Sequence, residues 1–399
     1  YNDIALKFKE SDYDVVVLTT TPHYNILPDK IAEQPLKKRW GGIYYESMYH
    51  KIRVIHIPQK KFKNPLLRVV GFLHWHFLSL ILGLAQKQIS IILSPSPPLT
   101  IGIINLLIGR LKGAKVIYNV QEIYPDFLIN HGGLKFKPLI SLLKWIERKV
   151  YNSSDAVTTI DPVFYETICS RFRDTSKLHV IPNFVDTGLF NSTKGLNSLD
   201  QRLFPETERL KVMYAGNLGH AQAWQPLLQA AGKLRNAAIE FFVIGEGVMK
   251  EFLARQIEAM DLKNIHLIPY QPRETMPQLI AYADIHFIFM SPEMEGQGFP
   301  SKVYTILSCG KPLLVISGKK TPIHNFLLPT NTSFLIDKKD LNEQVELICS
   351  ILQDNVTNKD KLLEMGNNGQ DLIKNEYSKE VVAQKYVDLA NDLLNDNHE

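Results

Sequence analysis

Lys302 stands at the opening of a helical pattern, directly after the stretch Ser291–Ser301, SPEMEGQGFPS. A cation in the first turn of a helix opposes the helix dipole, so an anion such as a diphosphate is its natural partner. Ser301 is the expected cap, and Pro300 stops any earlier start. Glu293 and Glu295, in the preceding loop, can accept hydrogen bonds from sugar hydroxyls. A second candidate is Gly216-Asn217-Leu218-Gly219-His220, placed between the apolar run Lys211–Ala215 and a helix. Glycines let the backbone approach a phosphate, and a helix N-terminus favours negative charge. No Gly-Lys-Ser/Thr follows and the spacing is not that of the dinucleotide fingerprint. Taken alone, a tight strand-to-helix turn explains this loop equally well. Gly245-Glu246-Gly247 reads as a plain glycine turn.

Other groups lie nearer the start of the chain. Asn119–Asp126, NVQEIYPD, follows the strand pattern Lys115–Val120. Its Glu122 and Asp126 have the chemistry for acid/base or hydroxyl-binding roles, with a turn or cap as the competing role for Asp126. Ser94 and Ser96 sit in the Pro-rich stretch Ser94–Pro98, read as a rigid substrate wall. Thr19–His23 brings His23 to the same edge. Asp12 and Asp14 precede their strand, which is the wrong end of a parallel sheet for a ligand. No His/Cys/Asp set has metal-ligand spacing and no Gly-x-Ser-x-Gly elbow appears.

These residues need scaffolding to hold them. Short apolar runs alternate with helical patterns over most of the 399 residues. Strands are expected at Val15–Leu18, Arg53–Ile57, Ile89–Leu93, Lys115–Val120, Ala156–Ile160 and Leu178–Ile181. The alternation restarts at Lys211–Ala215, Glu240–Ile244, Ile265–Ile268, Ile285–Met290, Leu313–Ile316 and Ser333–Ile336. This is the pattern of α/β folds with parallel sheets. Two sets of it imply two doubly wound, Rossmann-like domains: 1–185, then 186–378, with a last helix, 379–399, that can return to the first domain. The boundary falls in Pro182–Ser198, which lacks an extended apolar pattern.

Composition is ordinary for globular proteins, with 45% hydrophobic and 22% charged residues, which excludes disordered and collagenous classes. Residues 1–190 carry 24 Lys and Arg against 15 Asp and Glu, and the remainder carries 21 against 26. The basic half can face an anionic partner. Three scattered cysteines, Cys169, Cys309 and Cys349, suit a reducing compartment. Leu66–Leu84 is nearly all apolar and approaches the ~20 residues of a spanning helix. Arg68, His74, His76 and Ser79 interrupt it, and Lys60, Lys61 and Lys63 precede it. A buried or membrane-surface helix is therefore expected ahead of a spanning one.

Together these pieces resemble the family-four retaining glycosyltransferases of GT-B fold, in particular the bacterial branch typified by N-acetyl-L-fucosamine transferases. The resemblance rests on TTTPHY (19–24), NVQEIYPD (119–126), IPNFVD (181–186), YAGNLGHAQ (214–222) and FPSKVYTILSCGKP (299–312). It implies transfer of a sugar from a nucleotide-sugar, a UDP-sugar, to a lipid-linked saccharide in surface-polysaccharide synthesis. It further implies no metal or other cofactor, no nucleic acid, and a peripheral place at the cytoplasmic face of an anionic membrane. On this resemblance Gly216, Asn217 and Gly219 approach the diphosphate, and Ser301 and Lys302 open the donor-site helix. Pro269, Tyr270 and Gln271 read the nucleobase, while Glu295 and Thr305 complete the donor side. The acceptor side takes His23, Ser94, Ser96 and Glu122, and Lys302, Glu122 and Asp126 form the catalytic set. The family's paired glutamates fall at Gln297 and Thr305, and its common active-site His falls near Gln121. The family opens with a strand and a Gly-rich loop before the position of Tyr1, so the chain reads as an N-terminally truncated copy. A UDP-sugar 2-epimerase of the same architecture, or a non-catalytic nucleotide-sugar-binding scaffold, is the alternative reading.

Overall fold

The computed structural model describes residues 1–22, 34–59, 64–130, 133–190, 199–292 and 299–395. The chain divides into two compact units, Tyr1–Pro182 with Val382–Glu399, and Asn183–Val381.

In the first unit, Val16–Thr20 (β1), Lys37–Arg39 (β2), Tyr44–Tyr49 (β3) and Ile52–Ile57 (β4) form a sheet in the order β1-β4-β3-β2. β1 is parallel to β4, but β3 is antiparallel to both β4 and β2. The sequence reading expected parallel strands throughout and passed over β2 and β3. The reason lies in the turn from β3 to β4. Its two residues, His50 and Lys51, both have positive φ, 46° and 65°. Hairpins of that kind are usually announced by Asn-Gly or Asp-Gly, and His-Lys announces nothing.

A second sheet of the same unit is wholly parallel, in the order Ile91–Ser96 (β5), Lys115–Val120 (β6), Ala156–Thr159 (β7) and Leu178–Val180 (β8). Its core joins Tyr118, Val120 and Val157 to Tyr151, Phe164 and Ile168 from the covering helices. The apolar run near residue 70 is one helix, Pro65–Leu84, packed on helix Leu99–Lys112. It is long and apolar enough to cross a membrane, yet only 28% of its window Leu67–Leu84 is buried. The last helix, Lys379–Asn395, supplies Tyr386 to this unit, where the Tyr386 hydroxyl accepts from Asn119 Nδ2 at 2.6 Å.

The second unit holds one six-stranded sheet: Leu210–Ala215 (β9), Ile239–Ile244 (β10), Ile265–Ile268 (β11), Ile285–Phe289 (β12), Leu313–Ile316 (β13) and Ser333–Ile336 (β14). The order is β11-β10-β9-β12-β13-β14 and every pairing is parallel. Side chains alternate across a strand. Val212 and Tyr214 therefore join the core under Leu227, Leu228 and Leu352, while Met213 joins Phe204 and Leu279 on the other face. Burial on both faces is why these strands are continuous apolar runs. Each fully buried side chain such as Phe241 or Ile288 contributes roughly 1.5–3 kcal/mol. The chain enters and leaves this unit side by side: Val185 bridges to Ser378, and Lys379 pairs with Asp186 at 2.7 Å.

Candidate functional site

The strand order of the second unit reverses direction between β9 and β12, the switch point where open parallel sheets receive ligands. The loop after β9 is Gly216–Gly219. The Gly216 N–H continues the ladder to Ile244 O at 2.9 Å, and the Leu218 N–H donates to Glu246 O at 2.8 Å. The loop after β10, Gly245–Gly247, is thereby laced to its neighbour. No side chain fits between them. A Cβ on Gly245 would lie 1.9 Å from Gly216 O, and one on Gly247 would lie 2.3 Å from Leu218 O. Both glycines also have positive φ, 147° and 156°. Gly245-Glu246-Gly247 is thus more than the plain turn expected, because it is half of a two-loop cradle. The signal for it is positional: glycine follows immediately after two strands that lie side by side.

Lys302 begins helix Lys302–Ser308. That helix is held in place by helix Lys359–Glu376, where a Cβ on Gly366 would come within 2.0 Å of Gly310 O. From there the Lys302 ammonium donates to Ala215 O at 3.2 Å and sits 3.9 Å from the centroid of the Tyr214 ring. A Cβ on Gly216 would be only 2.7 Å from Lys302 Nζ. Burial pushes this lysine down to about 8, and among the described residues no acidic partner offsets the loss of water. A cation held over glycine backbone without a carboxylate is built to receive an anion. Sequence reasoning missed Tyr214. Its ring faces the ammonium, and its hydroxyl donates to Asn217 O at 2.8 Å, so it ties Lys302 to the glycine loop. Trp224 fixes the end of that loop by donating from Nε1 to Gly219 O at 3.1 Å.

The other residues expected on the donor side lie on neighbouring elements or outside the described residues. Pro269, Tyr270 and Gln271 follow β11, the neighbour of β10, and Tyr270 is exposed. Gln271 Nε2 donates to Pro269 O at 3.1 Å. Thr305 lies one turn beyond Lys302 and is half-buried. Ser301 precedes the helix with helical dihedrals, and its side chain makes no capping bond. This corrects the expected cap: a serine with αR backbone cannot turn its oxygen onto the first N–H groups. Glu295 and Gln297 lie outside the described residues.

The first unit corrects a further expectation. Ser94 and Ser96 are buried inside β5, not in a loop, because pairing with β6 continues through Ser96 opposite Val120. Ser94 Oγ accepts from Asn105 Nδ2 at 2.7 Å, a contact of the core. Asp126 opens helix Asp126–Asn130, and its carboxylate is spent on Arg171 at 2.5 Å and Lys144 at 3.6 Å. Arg171 also pairs with Glu147, which burial pushes up to about 7 against the pull of that arginine. Asp126 is therefore held in an ion cluster with Lys144, Arg171 and Glu147. Glu122 follows β6 and is half-buried. Its neighbour Gln121 donates to Asn119 Oδ1 at 2.7 Å, and the Tyr1 hydroxyl bonds the same oxygen. His23 lies outside the described residues. Among the described residues no group of three or more His, Cys, Asp and Glu side chains could hold a metal ion.

The chain is similar to known proteins in sequence and in fold. Residues 2–189 match the sequence model of Glycosyltransferase Family 4, and residues 197–372 match that of Glycosyl transferases group 1. WcaI of Escherichia coli (strain K12), named for glycosyl transfer in colanic acid biosynthesis, is 23% identical over 210 residues, 51% of this chain and 51% of that protein. The chain thus matches about half the length of that relative. WbjE of Pseudomonas aeruginosa, named as a glycosyltransferase, is 21% identical over 312 residues, covering 77% of this chain and 75% of that protein. Among solved structures, Anabaena HepE in complex with UDP superposes with a TM-score of 0.70 at 12% identity, over 98% of this chain and 96% of that one. Two family models that together run through both units, and a shared fold along nearly the whole chain, lead to one conclusion: the chain belongs to the family-four glycosyltransferases of GT-B fold.

Proposed function

We propose that this protein is a retaining glycosyltransferase that moves a sugar from a UDP-sugar to a lipid-linked saccharide during assembly of a bacterial surface polysaccharide, at the inner face of the plasma membrane. The observation that carries the reading is the Lys302 ammonium held over the Ala215–Gly216 backbone with no carboxylate partner among the described residues. The donor diphosphate lies against that ammonium and the loop N–H groups. Pro269–Gln271 take the base, and Thr305 and Glu295 take the ribose or sugar hydroxyls. The names of WcaI and WbjE support the transfer, and the UDP held by HepE supports the donor.

The chemistry follows from the charge. As the bond from the anomeric carbon to the diphosphate oxygen breaks, negative charge grows on the leaving UDP. Lys302 and the backbone amides stabilise it as it forms. The acceptor hydroxyl attacks from the same face, its proton passes to the departing phosphate, and the new glycosidic bond keeps the anomeric configuration. Glu122 orients the acceptor hydroxyls. The amides and Lys302 supply the positive charge, so no metal ion is required. The test is transfer from a panel of UDP-sugars to lipid-linked saccharides in the presence of EDTA, with the product anomer read by NMR. Retained configuration and turnover in EDTA are expected. An inverted product, or conversion of UDP-N-acetylglucosamine with no acceptor present, would overturn the proposal.

A further inference from the structure

The stretch Phe299–Pro312 begins with the donor-site helix and ends with Gly310-Lys311-Pro312, which the donor site leaves unused. Gly310, with φ 67°, turns the chain out of helix Lys302–Ser308 and towards β13. Lys311 and Pro312 therefore stand before the amino end of β13, at the other end of the sheet from the glycine cradle. β12 starts beside them, since the His286 N–H donates to Pro312 O at 3.0 Å. Helix Lys359–Glu376 starts in the same corner. It is fixed by the close approach of Gly366 to Gly310, and by Gln370 Nε2, which donates to Ser308 O at 3.3 Å. These elements leave between them a cavity of about 290 Å³. Lys311, Pro312 and Asp284 line it from the strand ends, and Asp360, Leu362 and Leu363 line it from the helix.

The charges in this cavity are unevenly matched. Asp284 is committed, because its carboxylate accepts from the Lys211 N–H at 2.8 Å and lies 3.2 Å from Lys211 Nζ. Lys359 reaches away to Glu208 at 3.3 Å. Among the described residues no hydrogen bond or ion pair engages the Lys311 ammonium or the Asp360 carboxylate. Lys311 is half-buried, and the loss of water pushes its ammonium below the ordinary lysine value, against the pull of Asp284. A cation just beyond a helix C-terminus is favoured by the dipole, which accounts for a lysine whose ammonium stands in water. It does not account for one withdrawn into a cavity whose nearest carboxylate already serves another lysine. Asp360 is exposed at the rim, Leu362 is buried, and Leu363 is 62% exposed. One free cation inside, one free anion at the rim and leucines beside them match the make-up of a small-molecule site, apolar with a few placed polar groups.

We infer that this cavity is a second ligand site, which takes a small zwitterion of the aliphatic amino-acid class. The carboxylate meets Lys311, the ammonium meets Asp360, and the aliphatic chain lies against Pro312, Leu362 and Leu363. A phosphate dianion fits less well, because two carboxylates share the cavity. Its volume falls at the lower end of the roughly 300–1,000 Å³ usual for ligand pockets, which restricts the ligand to amino-acid size. The seven residues of helix Lys302–Ser308, about 10 Å in length, separate this site from Lys302. It does not depend on the reaction assigned there.

The test is calorimetric titration of the full chain with L-leucine, with isocaproate, which is leucine without its ammonium, and with inorganic phosphate. Leucine should bind at one site per chain. Isocaproate should bind about two- to fivefold more weakly, the worth of one exposed ion pair. Lys311→Met should weaken leucine at least about tenfold, with UDP affinity unchanged. Asp360→Asn, a change at an exposed position, should lower leucine to the level of isocaproate and leave isocaproate as it was. If Lys311→Met does not fold, Asp360→Asn still gives this reading. Three results would overturn the inference. One is no binding of leucine in the millimolar range. Another is leucine affinity that a folded variant leaves unchanged. The third is phosphate bound more tightly than leucine, which would make the cavity a plain anion site.

Discussion

The two units are written in the same alternation of strand and helix, yet they concentrate their unusual features in different places. In the second unit these features lie at the carboxyl ends of β9 and β10, where glycines interlock and a lysine has no carboxylate partner among the described residues. Its helices cover the sheet in the ordinary way. In the first unit the polar groups near the strand ends include internal contacts: Ser94 and Ser96 are buried in β5, and Asp126 is tied to Arg171. There the departure is on the helix surfaces, which present apolar side chains to the outside. A parallel sheet can depart from the ordinary in two places, the loops at its edge and the outer faces of its helices, and each unit does so in one of them.

That contrast can be broken by substitution. Lys302→Ala should lower turnover by about 10²–10³-fold and weaken UDP binding without a comparable loss of stability. Steady-state kinetics beside a thermal melt checks this. Arg171→Ala should have the opposite profile. It leaves Glu147 buried and unpaired, so stability should fall by about 3 kcal/mol, with UDP affinity in the remaining folded protein unchanged. Denaturant titration and calorimetry separate the two effects.

The pH dependence sharpens the point further. Lys302 without ligand titrates near 8, lowered by burial, and a bound diphosphate favours the charged form and raises it again. UDP affinity should therefore be flat below that pH and fall by up to about tenfold per unit above it, as calorimetric titrations from pH 7 to 9 would register. The smallest expected effect is that of Tyr214→Phe. It keeps the ring over the ammonium but removes the hydroxyl bond to Asn217 O. A loss of about 0.5–1.5 kcal/mol in UDP binding, with the pH profile of Lys302 retained, would mark Tyr214 as a positioning residue.

What could be read from sequence follows the same division. The strands of the second unit were legible almost residue for residue, since burial on both faces leaves unbroken apolar runs such as Leu313–Ile316. The parallel pattern also told which strand ends to inspect, and so led to Gly216 and Lys302. The hairpin of β3 and β4 was not legible, because His50 and Lys51 adopt positive φ without the residue types that usually do so. Ser94 and Ser96 were misplaced because polar residues and prolines mimic a loop even where strand pairing continues. The ion pair of Asp126 was not legible because its partner Arg171 lies 45 residues away, and no local spacing reveals such a pair. The outward apolar faces were also out of reach. A run as apolar as Leu66–Leu84 shows that a helix avoids water somewhere, and only packing shows which side is left uncovered.

The central claim is that the interlocked glycine loops and Lys302 form the seat of a nucleotide diphosphate. Calorimetric titration of UDP into the wild type and into Lys302→Ala at pH 7 tests it most directly. The structure predicts one UDP per wild-type chain and binding weakened at least about tenfold in the variant. Equal affinity in the two proteins, with the variant folded, would contradict it.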